Sequence, residues 1–186
     1  MEVVGRGSCA SMLARTMEEP VLRIEIMDSA TLSEAKALVD RVFPAQGPFE
    51  RLFPWTFIGR ESAFSRAVLR LAGVSELTEF WVAIDDDGTV IGTTGLYRHC
   101  KDAHEAVWLS WFCVAPESRG NGLGGRLLDF SIERARRSGA DFLRLYTSDT
   151  QNEAAAQRLY EGRGLRVYQS RNRILYRLLR RELRLN

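Results

Sequence analysis

The sequence is poor in the groups that would make it a disulfide scaffold, a zinc protein, a membrane protein or a polyanion binder. It has three cysteines, Cys9, Cys100 and Cys113, with no Cys-x-x-Cys pair. So sparse and odd a set excludes a disulfide framework and points to a reducing, cytoplasmic setting. His99, Cys100, His104 and Cys113 match no zinc spacing, so no metal is expected. The 26 basic and 24 acidic residues leave a net charge of +2, which gives no overall electrostatic case for nucleic acid. No apolar run is long enough to cross a membrane. Internal repeats and linkers are missing too, which argues for one structural unit.

What is present suits a folded enzyme of ordinary size. The 186 residues are 45% hydrophobic, enough for one domain with a true core. Residues 1–18 lack periodicity and read as a flexible extension, and residues 19–186 as the domain. Arg6 followed by Ser8–Ala14 makes a poor signal peptide because its apolar part is short and broken. Met17 is an alternative start of translation.

Periodicity orders the elements. Val21–Met27 alternates as a strand. Asp28–Thr31 offers caps for a helix over Leu32–Phe43, ended by Pro44. Turn residues and aromatics follow, then a second helix over Glu61–Ala72. Phe80–Ile84 and Thr89–Tyr97 form a hairpin about Asp85-Asp86-Asp87-Gly88, with Gly92 and Gly95 marking a bulge. Val107–Val114 is an apolar strand. A glycine-dense loop leads to a helix reaching Ser138, with Leu123, Leu127, Leu128, Ile132 and Ala135 on one face. The strand Phe142–Thr147, the helix Glu153–Glu161 and the strands Leu165–Gln169 and Asn172–Leu179 complete the chain. The fold class is α+β: a mixed, mostly antiparallel sheet with one central parallel crossover and helices on both faces. Trp108 and Trp111 are three apart, so they should point to opposite faces of their strand. Arg171, Arg173, Arg177, Arg180, Arg181 and Arg184 read as a solvated edge strand and tail, with a binding patch as the alternative.

The loop Val114-Ala115-Pro116-Glu117-Ser118-Arg119-Gly120-Asn121-Gly122-Leu123-Gly124-Gly125-Arg126 is the most informative run. It has few side chains and opens a helix, so its N–H groups can approach an anion closely and the helix dipole favours negative charge there. Three phosphate-binding designs compete. A P-loop needs Lys-Ser or Lys-Thr after its last glycine, and Gly125 is followed by Arg126-Leu127. Gly120, Gly122 and Gly125 satisfy the dinucleotide pattern G-x-G-x-x-G, but Ala115–Arg119 separate the strand from the first glycine. Asp141 and Asp149 also miss the required acidic position. The third design, Arg-x-x-Gly-x-Gly, is present as Arg119, Gly122 and Gly124. With the upstream Val-x-Pro and downstream Leu-Leu, it resembles the acyl-CoA pyrophosphate loop of the GNAT superfamily of N-acetyltransferases. The block Asn152–Leu165, with its Leu159-Tyr160 pair and Gly164-Leu165 exit, is similar to that superfamily's next helix.

The resemblance implies a GNAT-like fold in which the strands before and after the glycine-loop helix splay apart around the pantetheine arm. It implies acetyl-CoA as cosubstrate and an amine as acceptor. Backbone of Phe112, Cys113 and Val114 would hold pantetheine, and amides from Gly120 through Asn121, Gly122, Leu123, Gly124 and Gly125 to Arg126 the pyrophosphate, with Arg119 beside them. Tyr160 holds the place of the superfamily's tyrosine, which protonates the departing thiolate. Two departures stand out. Ser148 occupies the place where relatives that acetylate protein N-termini carry a glutamate, so Glu105, near Asp102 and His104, becomes the alternative base. Glu153 holds the usual asparagine position, with Asn152 one step earlier as a cofactor-binding candidate. Phe53, Trp55 and Phe57 lie where that fold puts a variable substrate loop, and Trp55 could meet an amine through cation–π attraction.

The expected function is acetyl transfer to a primary amine of a small molecule or amino acid. A CoA-binding sensor without turnover, a protein or peptide amine acetyltransferase and a nicotinamide-dependent oxidoreductase are the alternatives. Nucleic acid and membrane are not expected partners; a homodimer is left open.

Overall fold

The computed structural model describes residues 23–44, 53–59 and 61–186. The expected extension 1–18, the beginning of the first strand at Val21, and the side chains of Phe53 and Trp55 lie outside the described part. Seven strands form one sheet in the order β1-β2-β3-β4-β5-β7-β6. They are β1 (Arg23–Ile26), β2 (Val74–Ile84), β3 (Val90–His99), β4 (Ala106–Val114), β5 (Phe142–Ser148), β6 (Arg166–Asn172) and β7 (Arg177–Arg184). Five neighbouring pairs run antiparallel; β4 and β5 run parallel, joined by the crossover helix α4 (Leu123–Arg137). The expected mixed α+β architecture with its central crossover is the one observed.

Helices cover the two faces unequally. On one face α1 (Leu32–Val42) buries Leu32, Ala35, Leu38 and Val39 against Phe80, Val82, Trp111 and Cys113. The turn into α1 is built by Asp28, whose Oδ1 accepts from the N–H groups of Ala30 and Thr31 at 2.9 Å each. The hydrogen bonds from Thr31 foremost hold the Asp28 carboxyl below its ordinary range. Two further helices, α2 (Phe53–Ile58) and α3 (Ala63–Leu71), follow it. Ser62 caps α3 by accepting from the Ser65 N–H at 3.1 Å. The α2 turn stands where a loop is expected; its Phe57 is buried edge-on against Phe80.

On the other face α4 buries the expected stripe of Leu123, Leu127, Leu128, Ile132 and Ala135. Helix α5 (Ala154–Gly162) packs beside it, and Trp81, Leu96, Val107, Leu109, Leu143 and Leu145 complete that core. Side chains of β5, β7 and β6 pointing to the α1 side have no helix above them among the described residues.

Bulges account for the differences from the sequence pattern. Strand β2 begins at Val74, six residues before the expected Phe80, and its pairing with β3 slips between Val74 and Glu76 and again between Leu77 and Glu79. Each slip breaks the two-residue alternation by which a strand is recognised. In β4 a bulge falls at Trp111, whose φ is +51°; Thr93 pairs with Cys113 while Gly95 pairs with Ser110. The extra residue puts Trp108 and Trp111 on the same face, the α1 side, which corrects the expectation of opposite faces. Gly95 itself lies flat over the Phe80 ring: a Cβ there would come within 2.1 Å of a ring carbon. Gly95→Ala is therefore expected to destabilise the fold by about 2–3 kcal/mol through overpacking, read as a lower urea midpoint at unchanged m-value.

A split sheet and an open glycine loop

The parallel pairing of β4 with β5 covers only Ala106–Phe142, Val107–Leu143 and Trp108–Arg144. Beyond Trp108 the strands part, and at Phe112, Cys113 and Val114 the β5-facing edge of β4 pairs with no strand among the described residues. The bulge at Trp111 bends β4 at the place where they separate. The split opens toward the C-terminal ends of both strands. The glycine loop after Val114, the end of β5 at Ser148 and the start of α5 are all at that end.

The loop is held in shape at its margins and left free in its middle. Pro116–Ser118 makes a 3-10 turn, and Arg119 Nε donates to the Val114 carbonyl at 3.1 Å. Gly120 and Gly122 have φ of +88° and +77°, conformations that side chains with a Cβ rarely adopt, and both face open space. Gly122 is the N-cap of α4 and offers no side-chain cap. The first helical bond is from Arg126 N–H to the Gly122 carbonyl, 3.1 Å. No described acceptor takes the N–H groups of Gly120, Asn121, Gly122, Leu123, Gly124 or Gly125. Gly125 is a glycine for another reason: a Cβ there would meet the Arg163 guanidinium at 2.7 Å, and that guanidinium grips Asp129 with two bonds of 2.8 and 2.9 Å.

Tyr160 stands on α5 with its ring buried, 5.9 Å from the ring of Phe112 on the open part of β4. No described residue hydrogen-bonds its phenol. Burial, then the nearby Glu153 charge, push its pKa well above the ordinary value near 10. Cys113, which accepts or donates a 3.3 Å contact with Thr93 Oγ1, is pushed up to about 11 by burial and stays a thiol at neutral pH.

Glu105 is not brought to this place. It precedes β4 at the closed end, nine residues and roughly 30 Å of extended chain from Val114. Its carboxylate pairs with Arg144 at 2.6 Å, in a cluster that also holds Asp102 (2.7 Å) and Glu182 (3.1 Å). Asp102 further accepts from Trp108 Nε1 at 3.0 Å. This is a cross-strand clasp of β4, β5 and β7. Arg144→Ala leaves three carboxylates facing one another and should cost about 3 kcal/mol, the low end for a broken pair because Glu105 remains a third exposed. Glu105→Gln should lower Tm while leaving kcat within twofold, as differential scanning calorimetry and steady-state rates would show.

The sequence pattern did not disclose the polar network at the open end. Glu153 reaches back to accept from the Ser148 N–H (2.9 Å) and Ser148 Oγ (2.6 Å), and from Thr147 Oγ1. Gln157 Nε2 donates to the Ser148 carbonyl at 2.5 Å, and its Oε1 accepts from Arg181. Arg181 is buried, also paired with Glu161 at 2.7 Å and donating to the Leu165 carbonyl at 2.9 Å. Together they fasten α5 to the sheet. The residue missed is Arg181, a charge on the core-facing side of a strand; its partners, two on α5 and the Leu165 carbonyl just after it, could not be read from spacing. Asn152 is exposed within the 3-10 turn Gln151–Glu153.

The sequence profile of the acetyltransferase (GNAT) domain matches residues 76–166, from β2 through the glycine loop and α5 to β6. Residues 76–166 are a GNAT acetyltransferase domain. No curated protein sequence matches the chain. Solved structures match it as a fold. A GNAT-family acetyltransferase of Staphylococcus aureus Mu50 is 18% identical, with 89% of this chain and 99% of that one covered at a TM-score of 0.67. The yncA protein of Salmonella typhimurium, solved with its cofactor acetyl-CoA, is 20% identical over 89% and 94% of the two chains, TM-score 0.63. The ribosomal-protein-S18-alanine N-acetyltransferase of Escherichia coli is 17% identical over 88% and 94%, TM-score 0.65. At these identities the likeness is one of fold, and the GNAT domain takes its chemistry from its own residues.

Proposed function

We propose that this GNAT domain transfers the acetyl group of acetyl-CoA to a primary amine of a small molecule or amino acid. The observation that carries the reading is the set of uncommitted amides from Gly120 to Gly125, placed at a helix N-terminus beside the mouth of a split between parallel strands. Such amides suit the diphosphate of CoA, with Arg119 and Arg126 adding positive charge and Asn152 on the opposite lip. The unpaired edge of β4 at Phe112, Cys113 and Val114 suits the amides of the pantetheine arm, which can pair with it as an added strand would.

The thioester carbonyl then lies in the split, where a β4 N–H supports the developing oxyanion. The neutral amine attacks; a C–N bond forms and the C–S bond breaks. The nitrogen gives up one proton to water and the sulfur takes one from Tyr160, whose phenol is favoured in its protonated form by burial and regains its proton from water after the thiol leaves. Glu105 is assigned no step, because Arg144 holds it at the closed end. The sparse cysteines, of which Cys100 and Cys113 are free thiols, fit a reducing cytoplasm. Free-thiol release from acetyl-CoA with a panel of primary amines tests the reading. Turnover with at least one small amine is expected; CoA binding without turnover on any amine would leave a sensor instead.

A further inference from the structure

The β6–β7 hairpin carries a feature that the acetyl-CoA site does not use. On the side of the sheet that no described helix covers there, Gln169, Ser170, Arg171, Arg173, Leu178 and Arg180 line a small cavity of about 120 Å³. Three of the six are arginines. On the same two strands and the neighbouring β5, Arg144 has three carboxylate partners, Arg177 has Asp149 and Arg181 has Glu161, whereas Arg166 and Arg184, away from the cavity, have none among the described residues. No described carboxylate pairs with Arg171, Arg173 or Arg180. The Arg180 guanidinium donates to Gln169 Oε1 at 2.6 Å and lies over the Tyr146 ring, 5.1 Å from its centroid. A cavity lined by three arginines without carboxylate partners, Arg171 and Arg173 exposed and Arg180 half-buried, suits an oxyanion.

Its place in the sheet links it to the split. Arg180 is the register partner of Tyr146 on β5. The Tyr146 ring stacks on Trp108 of β4 at 4.5 Å, at the fork where β4 and β5 part. The cavity is therefore about two strand spacings, roughly 10 Å, from the split. It is on the α1 side of the sheet, opposite α4 and α5. Among the described residues no helix lies over that side at β5, β7 and β6.

We propose that Arg171, Arg173 and Arg180 form an anion subsite for the acceptor, so that the amine acetylated carries a carboxylate or a phosphate that this subsite holds while the amine reaches the split past Tyr146 and Trp108. The proposal rests on the acetyl-transfer reading for its substrate, but not for its binding step. It gives the hairpin arginines a role that a solvated tail does not.

The test compares matched acceptors with the full chain. An amino acid is set against its amide, and an aminoalkyl phosphate against the corresponding amino alcohol. The charged member of one pair is expected to have a kcat/KM roughly 10- to 100-fold higher, the range for hydrogen bonds to a charged group. The better pair tells carboxylate from phosphate. In Arg171→Gln/Arg173→Gln that preference should collapse through the acceptor KM, with the KM for acetyl-CoA within twofold. Equal rates for charged and neutral members, or a preference that survives in the double variant, would overturn the subsite. Should no acceptor in either pair turn over, titration with inorganic phosphate and with acetate decides. Saturable binding lost in the double variant keeps the subsite while the acetyl-transfer reading falls; no arginine-dependent binding of either anion removes the subsite.

Discussion

Gly122→Asp is expected to weaken CoA binding by more than 100-fold while leaving the fold intact. The two halves of that expectation have separate physical causes. Gly122 is the N-cap of α4 at φ +77°, and a Cβ built there meets nothing within 4 Å. Aspartate tolerates a left-handed conformation better than most residues, and it is a favoured N-cap. The strain is thus partly offset, and the helix should still form. The same carboxylate would stand among the free amides of Gly120 to Gly125, where the diphosphate is proposed to sit. A like charge about 5 Å away at an effective dielectric of about 20 costs about 3 kcal/mol, and the amides it captures are no longer available. Gly122→Asn separates the two effects, since it keeps the shape and the strain without the charge. Calorimetric titration with CoA should find Asn weakened several-fold and Asp beyond detection. An Asp variant that bound CoA as the wild type does would remove the loop from the cofactor site and with it the reading of the split.

How much of this was legible in the sequence depends on whether a signal was local. The α4 stripe and the glycine loop are local, and both were read in place; the loop's positive-φ residues, Gly120 and Gly122, are the kind of position that only glycine fills at little cost. The first half of β2 was not legible, because two slips against β3 erased its alternation. Trp111 was read on the wrong face for the same reason: one extra residue in the bulge turns every later side chain over. Strand β7 was expected over Asn172–Leu179 and observed over Arg177–Arg184. Its arginines looked solvated, but Arg181 points inward because Gln157, Glu161 and the Leu165 carbonyl wait for it on and just after α5. Glu105 is the alternative base because Ser148 stands in the superfamily's glutamate place and Glu105 lies at the entry to the central strand. Its true partner, Arg144, is 39 residues away and arrives only through the parallel register of β4 and β5. Long-range pairing, which residue type and spacing do not show, holds the Glu105 carboxylate at the closed end.

The same reasoning makes Tyr160→Phe the sharper test of mechanism. The ring is buried against Phe112 and the rest of the α4-side core, and Phe keeps that packing. Since no described residue bonds the phenol, its loss orphans no described partner, and stability should change by less than about 1 kcal/mol. What disappears is the proton for the departing thiolate, a loss of about 10²–10⁴ in kcat, with CoA affinity nearly unchanged. The pH profile adds an independent check. Burial and the neighbouring Glu153 charge raise the phenol's pKa, so the donor form persists as pH climbs past 10. Tyr160 should then contribute no falling alkaline limb below that value, and the wild-type and Phe profiles should run parallel, offset by a constant factor. A limb present in the wild type between pH 8 and 10 and missing in Tyr160→Phe would show a phenol ionising where burial says it cannot. Full activity in the variant would pass the proton donation to water.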